Sequence, residues 1–235
     1  MDTIERFKKI INYNFKAETF EKNVGNEART FHIANKSKPL LSISRILKPL
    51  IEHKYFVIPK FNMLPNRLVG SLSHRLLEKS FYANDIVLIK ENIEEVKELL
   101  GKDWDNFIKL KPEKQTEILK SVNVVVKTTF SILKQKNIKI IASEKYICNQ
   151  DFHGYIDLVG IKDNTIPVIL ELKTSSLDQA KYETNLQLGL YKHLINIEEV
   201  ETYAIRFNLK KKLAHFDSVD TKDFEIIKNL YERIK

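Results

Sequence analysis

The stretch "GYIDLVGIKDNTIPVILELKTS", Gly154 to Ser175, carries Asp157, Glu171 and Lys173 inside two short apolar runs. The runs, 154–161 and 167–173, flank "KDNT" and read as the two strands of a β-hairpin. A buried carboxylate or ammonium is costly unless it is paired or bound to a metal. Side chains alternate faces along a strand, so Glu171 and Lys173 point the same way, roughly 6.6 Å apart, while Leu170 and Leu172 enter the other layer. By the same rule Asp157 shares a face with Tyr155 and Val159. The hairpin folds the second strand back beside the first, which lets Asp157 and Glu171 meet across the pair. Two carboxylates held close repel each other unless a divalent cation sits between them. A lysine two residues on can hold a hydroxide or a phosphate oxygen beside that cation, and the set suits metal-assisted hydrolysis of a phosphodiester. An acid–X–lysine triplet alone most often marks a solvated strand edge, but such an edge has no need of Ile169, Leu170 and Leu172.

The 235 residues, 43% of them hydrophobic, suffice for one substantial core. The formal charge of +8 and the pI of about 9.3 favour a polyanionic partner, although lysine-rich surfaces are often only solvated. Cys148 is the one cysteine, so no intramolecular disulfide forms and a reducing compartment is expected. The same count excludes a self-contained cysteine-ligated iron–sulfur cluster or a structural zinc site built on cysteines. No apolar run approaches the ~20 residues that span a bilayer. "MDTIERFKKIINYNF" has neither a signal peptide's apolar core nor a transit peptide's acid-poor, serine-rich character. A cytoplasmic protein with no membrane association is expected.

Four of the six prolines fall between residues 39 and 65, and residues 1–65 read as a short helix or two with loops draped on a core spanning 66–235. Ser42 to Ile51 reads as a short helix stopped near Pro49. Helices are expected over 66–80, where Leu68, Leu72, Leu76 and Leu77 share a stripe, and over 91–101, with acids first and Gly101 last. Within 113–135, "VNVVV" suggests a strand, but Ile118, Leu119, Val122, Val125, Val126, Phe130 and Leu133 keep helical spacing, so a helix is predicted. Strands follow at 138–147 and in the hairpin. A helix opens near Ser176 and runs to about Leu194. Strands at 201–208 and 212–217 flank the basic turn Lys210–Lys212, and a helix from about Thr221 closes the chain. The fold class is α/β, a central sheet flanked by helices.

"GYIDLVG", "VILELKTS" and "YETNLQLGLY" together resemble the PD-(D/E)XK nuclease superfamily, specifically its RecB-like branch. That branch pairs a G-x-I-D strand with a D/E-x-K strand and a following helix bearing Q-x-x-x-Y, which Gln187 and Tyr191 fit. Its upstream helix, G-x-x-x-H-x-x-x-E, is matched by Gly70, His74 and Glu78. Within the branch the chain is most similar to the mitochondrial genome maintenance exonuclease family, whose serine–X–T–R–X–L opening "LLSISRILKP" resembles. The likeness runs over roughly residues 40–235. Glu171 stands where that family more often has Asp, and the superfamily accepts both. Without a transit peptide, a phage or bacterial relative is expected.

The resemblance implies a restriction-endonuclease-like core with a mixed sheet and a helical N-terminal extension. It implies that Asp157, Glu171, His74 and the Leu172 carbonyl hold Mg²⁺ or Mn²⁺. Lys173 would stabilise the attacking hydroxide or the transition-state charge, and Gln187 would position the lysine or the scissile phosphate. Tyr191 would pack or contact DNA. Ser175, at the start of a helix, would bind a phosphate. Glu78 and Glu144 are candidates for the surrounding shell, Glu144 equally for a solvent-exposed residue. Arg45, Arg67, Arg75 and Lys210–Lys212 are candidates for a DNA path. The implied activity is a deoxyribonuclease serving DNA repair or recombination, an exonuclease on single-stranded DNA or single-stranded ends. An endonuclease of the same superfamily would share the site, and a non-cleaving binding module would not need the full Asp157–Glu171–Lys173 set. Protein partners are not legible.

Overall fold

Helical spacing dominates up to residue 135 and strand spacing takes over from 138, and the main sheet forms almost entirely after that change. The computed structural model describes residues 2–13, 19–22, 30–33, 41–43, 46–47, 64–90, 92–149, 152–174 and 178–221. Arg45, Ser175, the onset of the helix expected near Ser176 and the chain beyond Thr221 lie outside these. Of the helix expected over Ser42 to Ile51, Ile43, Ile46 and Leu47 are helical, Ser42 is in a strand, and the rest is not described.

Helix α1, Thr3–Asn12, starts at Asp2, whose carboxylate accepts from the Ile4 N–H, and buries Phe7 and Ile11 one turn apart. Strands β1, Thr19–Lys22, and β2, Thr30–Ile33, form an antiparallel hairpin in a segment where only helix and loop were expected. Strand β3 is the pair Leu41–Ser42. Helix α2, Leu64–Ala83, buries Leu68, Leu72 and Leu76 on one stripe. Pro65 sits in its first turn, where a missing N–H costs nothing. Helix α3, Ile93–Leu100, is capped by Asn92 and ends at Gly101 with φ 50°. A single 3₁₀ turn and the short α4, Trp104–Ile108, follow; neither was anticipated.

Helix α5, Pro112–Gln135, absorbs the "VNVVV" run and buries Ile118, Val122, Val125, Val126 and Leu133. Asn123, which interrupts the valines, has a specific task. Its amide oxygen accepts from the Ile89 N–H at 2.9 Å and its amide nitrogen donates to the Ile89 carbonyl at 3.0 Å. It thereby replaces the strand that the extended segment 86–90 lacks.

Strands β4, Ile138–Cys148, β5, Phe152–Lys162, and β6, Ile166–Lys173, are joined by helix α6, Asp178–Ile195, to β7, Glu201–Asn208, and β8, Leu213–Ser218. The six-stranded sheet runs β3–β5–β6–β7–β8, with β4 on the other side of β5. It is mixed: β3–β5 and β6–β7 are parallel, and the remaining pairs are antiparallel. The expected "KDNT" turn is tight because Asp163 and Asn164 both take positive φ, which short polar side chains tolerate.

Helices α2 and α5 cover one face through Leu68, Leu72, Val122 and Val126 against Val168, Leu170, Leu172 and Ile205, and α3 packs on α2. On the other face α1 and α6 pack Phe7, Leu186 and Tyr191 against Val159, Ile169 and Ala204. Consecutive apolar residues in β6 are thus buried in opposite layers, as a central strand covered on both faces requires. Among the described residues, no helix is long and apolar enough to cross a membrane.

Asn123→Ala leaves both Ile89 backbone groups without their partner inside the fold. Urea unfolding should register a loss of about 1–3 kcal/mol, whereas Lys127→Ala on the exposed side of the same helix should stay near zero. Equal small effects would show that the amide clamp is not stabilising.

Candidate active site

The sheet becomes irregular where the charges converge. Between β4 and β5 the pairs Ser143–Leu158 and Lys145–Ile156 put Glu144 opposite Asp157, and Glu144 adopts φ 47°. Between β5 and β6 the antiparallel ladder runs only to Leu158–Leu170, one step short of Asp157 and Glu171. There the Asp157 side chain takes over: Oδ2 accepts the Leu172 N–H at 2.7 Å. Ile156 packs in the α6-side core and Leu158 in the α2-side core, so strict alternation fails at Asp157. The expectation that Asp157 simply shares a face with Val159 is corrected accordingly. Its Oδ1 lies 3.3 Å from Nδ1 of His74, on α2 across the sheet from the layer into which Val159 packs.

His74 Nδ1 also lies 2.9 Å from Glu144 Oε1. His74, Glu144 and Asp157 each present a ligand atom, all within 4.8 Å of one another. Glu144, expected in the surroundings or in solvent, is therefore a member of the inner group. Glu171, 1% exposed, receives Lys173 Nζ on Oε2 at 3.0 Å, while its buried Oε1 has no hydrogen-bond partner.

A second chain of contacts fixes the lysine. Lys173 Nζ donates to Gln187 Oε1 at 3.1 Å, Gln187 Nε2 donates to the Tyr191 hydroxyl at 3.0 Å, and that hydroxyl donates to the Tyr155 carbonyl at 2.5 Å. An ammonium can only donate and a carbonyl only accept, so every orientation along the chain is determined. Gln187 and Tyr191 sit one turn apart on α6 and share a face, as their spacing predicted.

Both motif glycines have a steric reason. A Cβ on Gly154 would lie 2.7 Å from Tyr191 Cε1 and 3.1 Å from Ile43 Cδ1. A Cβ on Gly70 would lie 3.0 Å from the Thr174 hydroxyl, which ties the end of β6 to α2 through the Asn66 carbonyl.

Burial favours neutral forms here, and the neighbours decide the outcome. For His74, burial works against the charged ring, yet Asp157 and Glu144 hold its pKa well above the usual histidine value. Burial would raise Asp157, but His74, Lys173 and the Leu172 N–H keep it below the usual carboxylate range. Glu171 is pushed up to about 8 by burial and by Asp157, with Lys173 opposing. Lys173 remains charged despite burial because Glu171 and Asp157 face it. Protons on His74 and Glu171 thus supply positive charge that a divalent cation would supply instead. The oxygen-rich donor set with one imidazole, together with the orphaned Glu171 Oε1, fits such an ion.

The remaining candidates are scattered. Glu78 lies one turn beyond His74 on α2, half-buried. Arg75 donates to the Leu99 carbonyl at the end of α3, and Arg67 pairs with Asp103 at 2.9 Å, so both serve the helical layer. Lys210–Lys212 form the exposed β7–β8 turn, beyond the end of the sheet where Lys173 lies beside Arg206. Arg206 itself escaped the sequence reading. It is 5% exposed and pairs with Asp217, and its only signal was a cation inside the apolar run "AIRFN".

The family model for the PD-(D/E)XK nuclease superfamily matches residues 52–234, and the chain belongs to that superfamily. Membership makes it an α/β domain of the metal-dependent nuclease class, with nucleic acid as substrate. No curated protein matches the chain. Among solved structures it is similar to SSO0001, at 16% identity and a TM-score of 0.30, over 81% of this chain and 84% of that one. It is also similar to Can2 from Sulfobacillus thermosulfidooxidans, solved with cyclic tetra-adenylate, at 12% identity and a TM-score of 0.28, over 88% of this chain and 64% of that one.

A cation must displace the protons it replaces. Calorimetric titration with Mn²⁺ in buffers of different ionisation heat should reveal proton release at pH 7. Glu171 is protonated below about 8 and ionised above it, so release should decline and affinity rise as pH passes 8. Release unchanged from pH 7 to 9.5 would contradict the assignment.

Proposed function

We propose that this member of the superfamily is a Mg²⁺- or Mn²⁺-dependent deoxyribonuclease that degrades single-stranded DNA from a free end. The observation that carries the catalytic part is the set of buried Asp157 and Glu171 with half-buried His74 and Lys173, in which Glu171 Oε1 is left without a partner. Asp157, Glu171, His74 and the Leu172 carbonyl would hold the cation. When bound, it supplies Lewis-acid polarisation of a phosphoryl oxygen and a more acidic water.

The chain's own groups do the rest. Lys173 stays protonated beside Glu171, so it cannot serve as a general base; it donates to the charge that builds on the phosphate. Gln187 keeps the ammonium aimed, and Tyr191 acts by anchoring Gln187 to the Tyr155 carbonyl. Tyr191, 2% exposed, is thereby a positioning residue and not a DNA contact. The Lys210–Lys212 turn supports a backbone path leading to Lys173, and Ser175 and Arg45 would add phosphate contacts. Helix α2 would form part of the cover over a channel that admits a strand by its end. Substrate binding through lysine and arginine contacts to phosphates makes the activity salt-sensitive. An intact acidic set with an oriented lysine weighs against a module that binds without cutting.

Asp157→Ala and Glu171→Ala should each abolish Mg²⁺-dependent cleavage in a protein that still folds, and Lys173→Ala should lower kcat by about 10²–10³-fold. Near wild-type cutting by either carboxylate variant would remove it from the site. Linear end-labelled single strands should be degraded while covalently closed circles persist. Rapid nicking of closed circles by the pure protein would overturn the exonuclease reading in favour of an endonuclease.

A further inference from the structure

The extended segment 86–90, held against α2 and α5, satisfies only one of its two backbone edges. In an extended chain the N–H and C=O groups of alternate residues point to opposite sides. Val87 and Ile89 point inward. The Val87 N–H donates to the Ser80 hydroxyl at 2.9 Å, and both backbone groups of Ile89 are held by Asn123. Ile86, Leu88 and Lys90 therefore point outward. Two of their groups are satisfied locally: the Ile86 N–H donates to the Asp85 carboxylate at 2.7 Å, and the Lys90 carbonyl accepts from the Asn92 N–H at 2.5 Å. Among the described residues nothing pairs with the Ile86 carbonyl, the Leu88 N–H, the Leu88 carbonyl or the Lys90 N–H.

These four groups complement themselves. When two copies of the segment run antiparallel about a two-fold axis at Leu88, the two Leu88 residues exchange both hydrogen bonds. Ile86 then faces Lys90 of the second copy, and its carbonyl accepts that Lys90 N–H. The two groups left out of the exchange are the two already tied up locally. Charge follows the same symmetry. Asp85 stands at one end of the segment and Lys90 at the other, so antiparallel copies set acid against base. Between them "IVLI" has no proline, glycine or charge to blunt the edge. Ile86 in the segment, Ile93 just after it and Val124 beside the Asn123 clamp are exposed apolar side chains.

We propose that segment 86–90 is a dimerisation edge, on which a second copy of this chain pairs antiparallel through Ile86, Leu88 and Lys90. The inference is independent of the nuclease reading. Any extended peptide could add hydrogen bonds here, but an identical segment leaves unused the same two groups that this one has already satisfied. A dimer so formed carries two candidate active sites.

The test is sedimentation velocity of the full chain over a concentration series, with residue-resolved amide exchange at both ends of the series. Wild type should pass from monomer to dimer. Lys90→Asp sets acid against Asp85 of the second copy, and Asp85→Lys sets base against its Lys90. Each alone should raise the dimer dissociation constant by about tenfold or more. A mixture of the two variants restores acid against base at both ends, so it should form a heterodimer tighter than either homodimer. In the wild type, exchange at the Leu88 and Lys90 amides should slow by at least about tenfold on dimerisation, while the Val87 and Ile89 amides, already held from within, should not change. The exchange measurement needs no variant, so it decides the matter even where a variant fails to fold. A chain that stays monomeric throughout, a dimer whose affinity neither variant alters, a mixture no tighter than its components, or a dimer with a Leu88 amide as open as in the monomer would overturn the inference.

Discussion

The contact on which the site depends is the one between the Asp157 carboxylate and the Leu172 N–H. A strand pair normally spends its backbone donors on its neighbour. Here β5 and β6 stop pairing one step before the two acids would meet, and a side chain satisfies the donor that the ladder abandons. That exchange opens room between the strands without leaving a buried N–H unpaired. It also pins Asp157 between β6 and α2, through the Leu172 N–H on one side and His74 on the other.

Around that pin the charges balance in an unusual way. Three carboxyl groups, from Glu144, Asp157 and Glu171, share a small region with His74 and Lys173. Protons can reach that balance, on an imidazole held charged by its neighbours and on a glutamate pushed up to about 8. Such an arrangement is poor as a stability device, since a buried ion pair seldom outperforms a hydrophobic one. It makes sense as a site prepared for exchanging protons for a cation. Gln187 and Tyr191 fix the donor direction of the lysine from the opposite layer.

Much of this was legible in the residues. The change of hydrophobic period marked the sheet, "KDNT" marked its hairpin, and helical spacing outweighed the valines of α5. His74, Glu171, Lys173, Gln187 and Tyr191 come together because each lies on a regular element whose period fixes its face. What resisted reading depends on irregularity or on distant contacts. Glu144 enters through a left-handed backbone that no pattern announces, and Asp157 breaks the alternation used to place it. Arg75 sits one residue from His74, yet the 100° turn of a helix sends it to the end of α3. Asn123 and Arg206 act through partners 34 and 11 residues away, and the β1–β2 hairpin has no strong alternation to reveal it.

The central claim is that these buried charges exist to hold a divalent cation at Asp157. Diffraction from crystals grown with Mn²⁺, recorded on either side of the manganese absorption edge, tests it directly. The account predicts an anomalous peak within inner-sphere bonding distance of the Asp157 carboxylate, displacing the contact between that carboxylate and His74 Nδ1. Fully loaded crystals with manganese only at surface sites, and the His74–Asp157 contact intact, would contradict it.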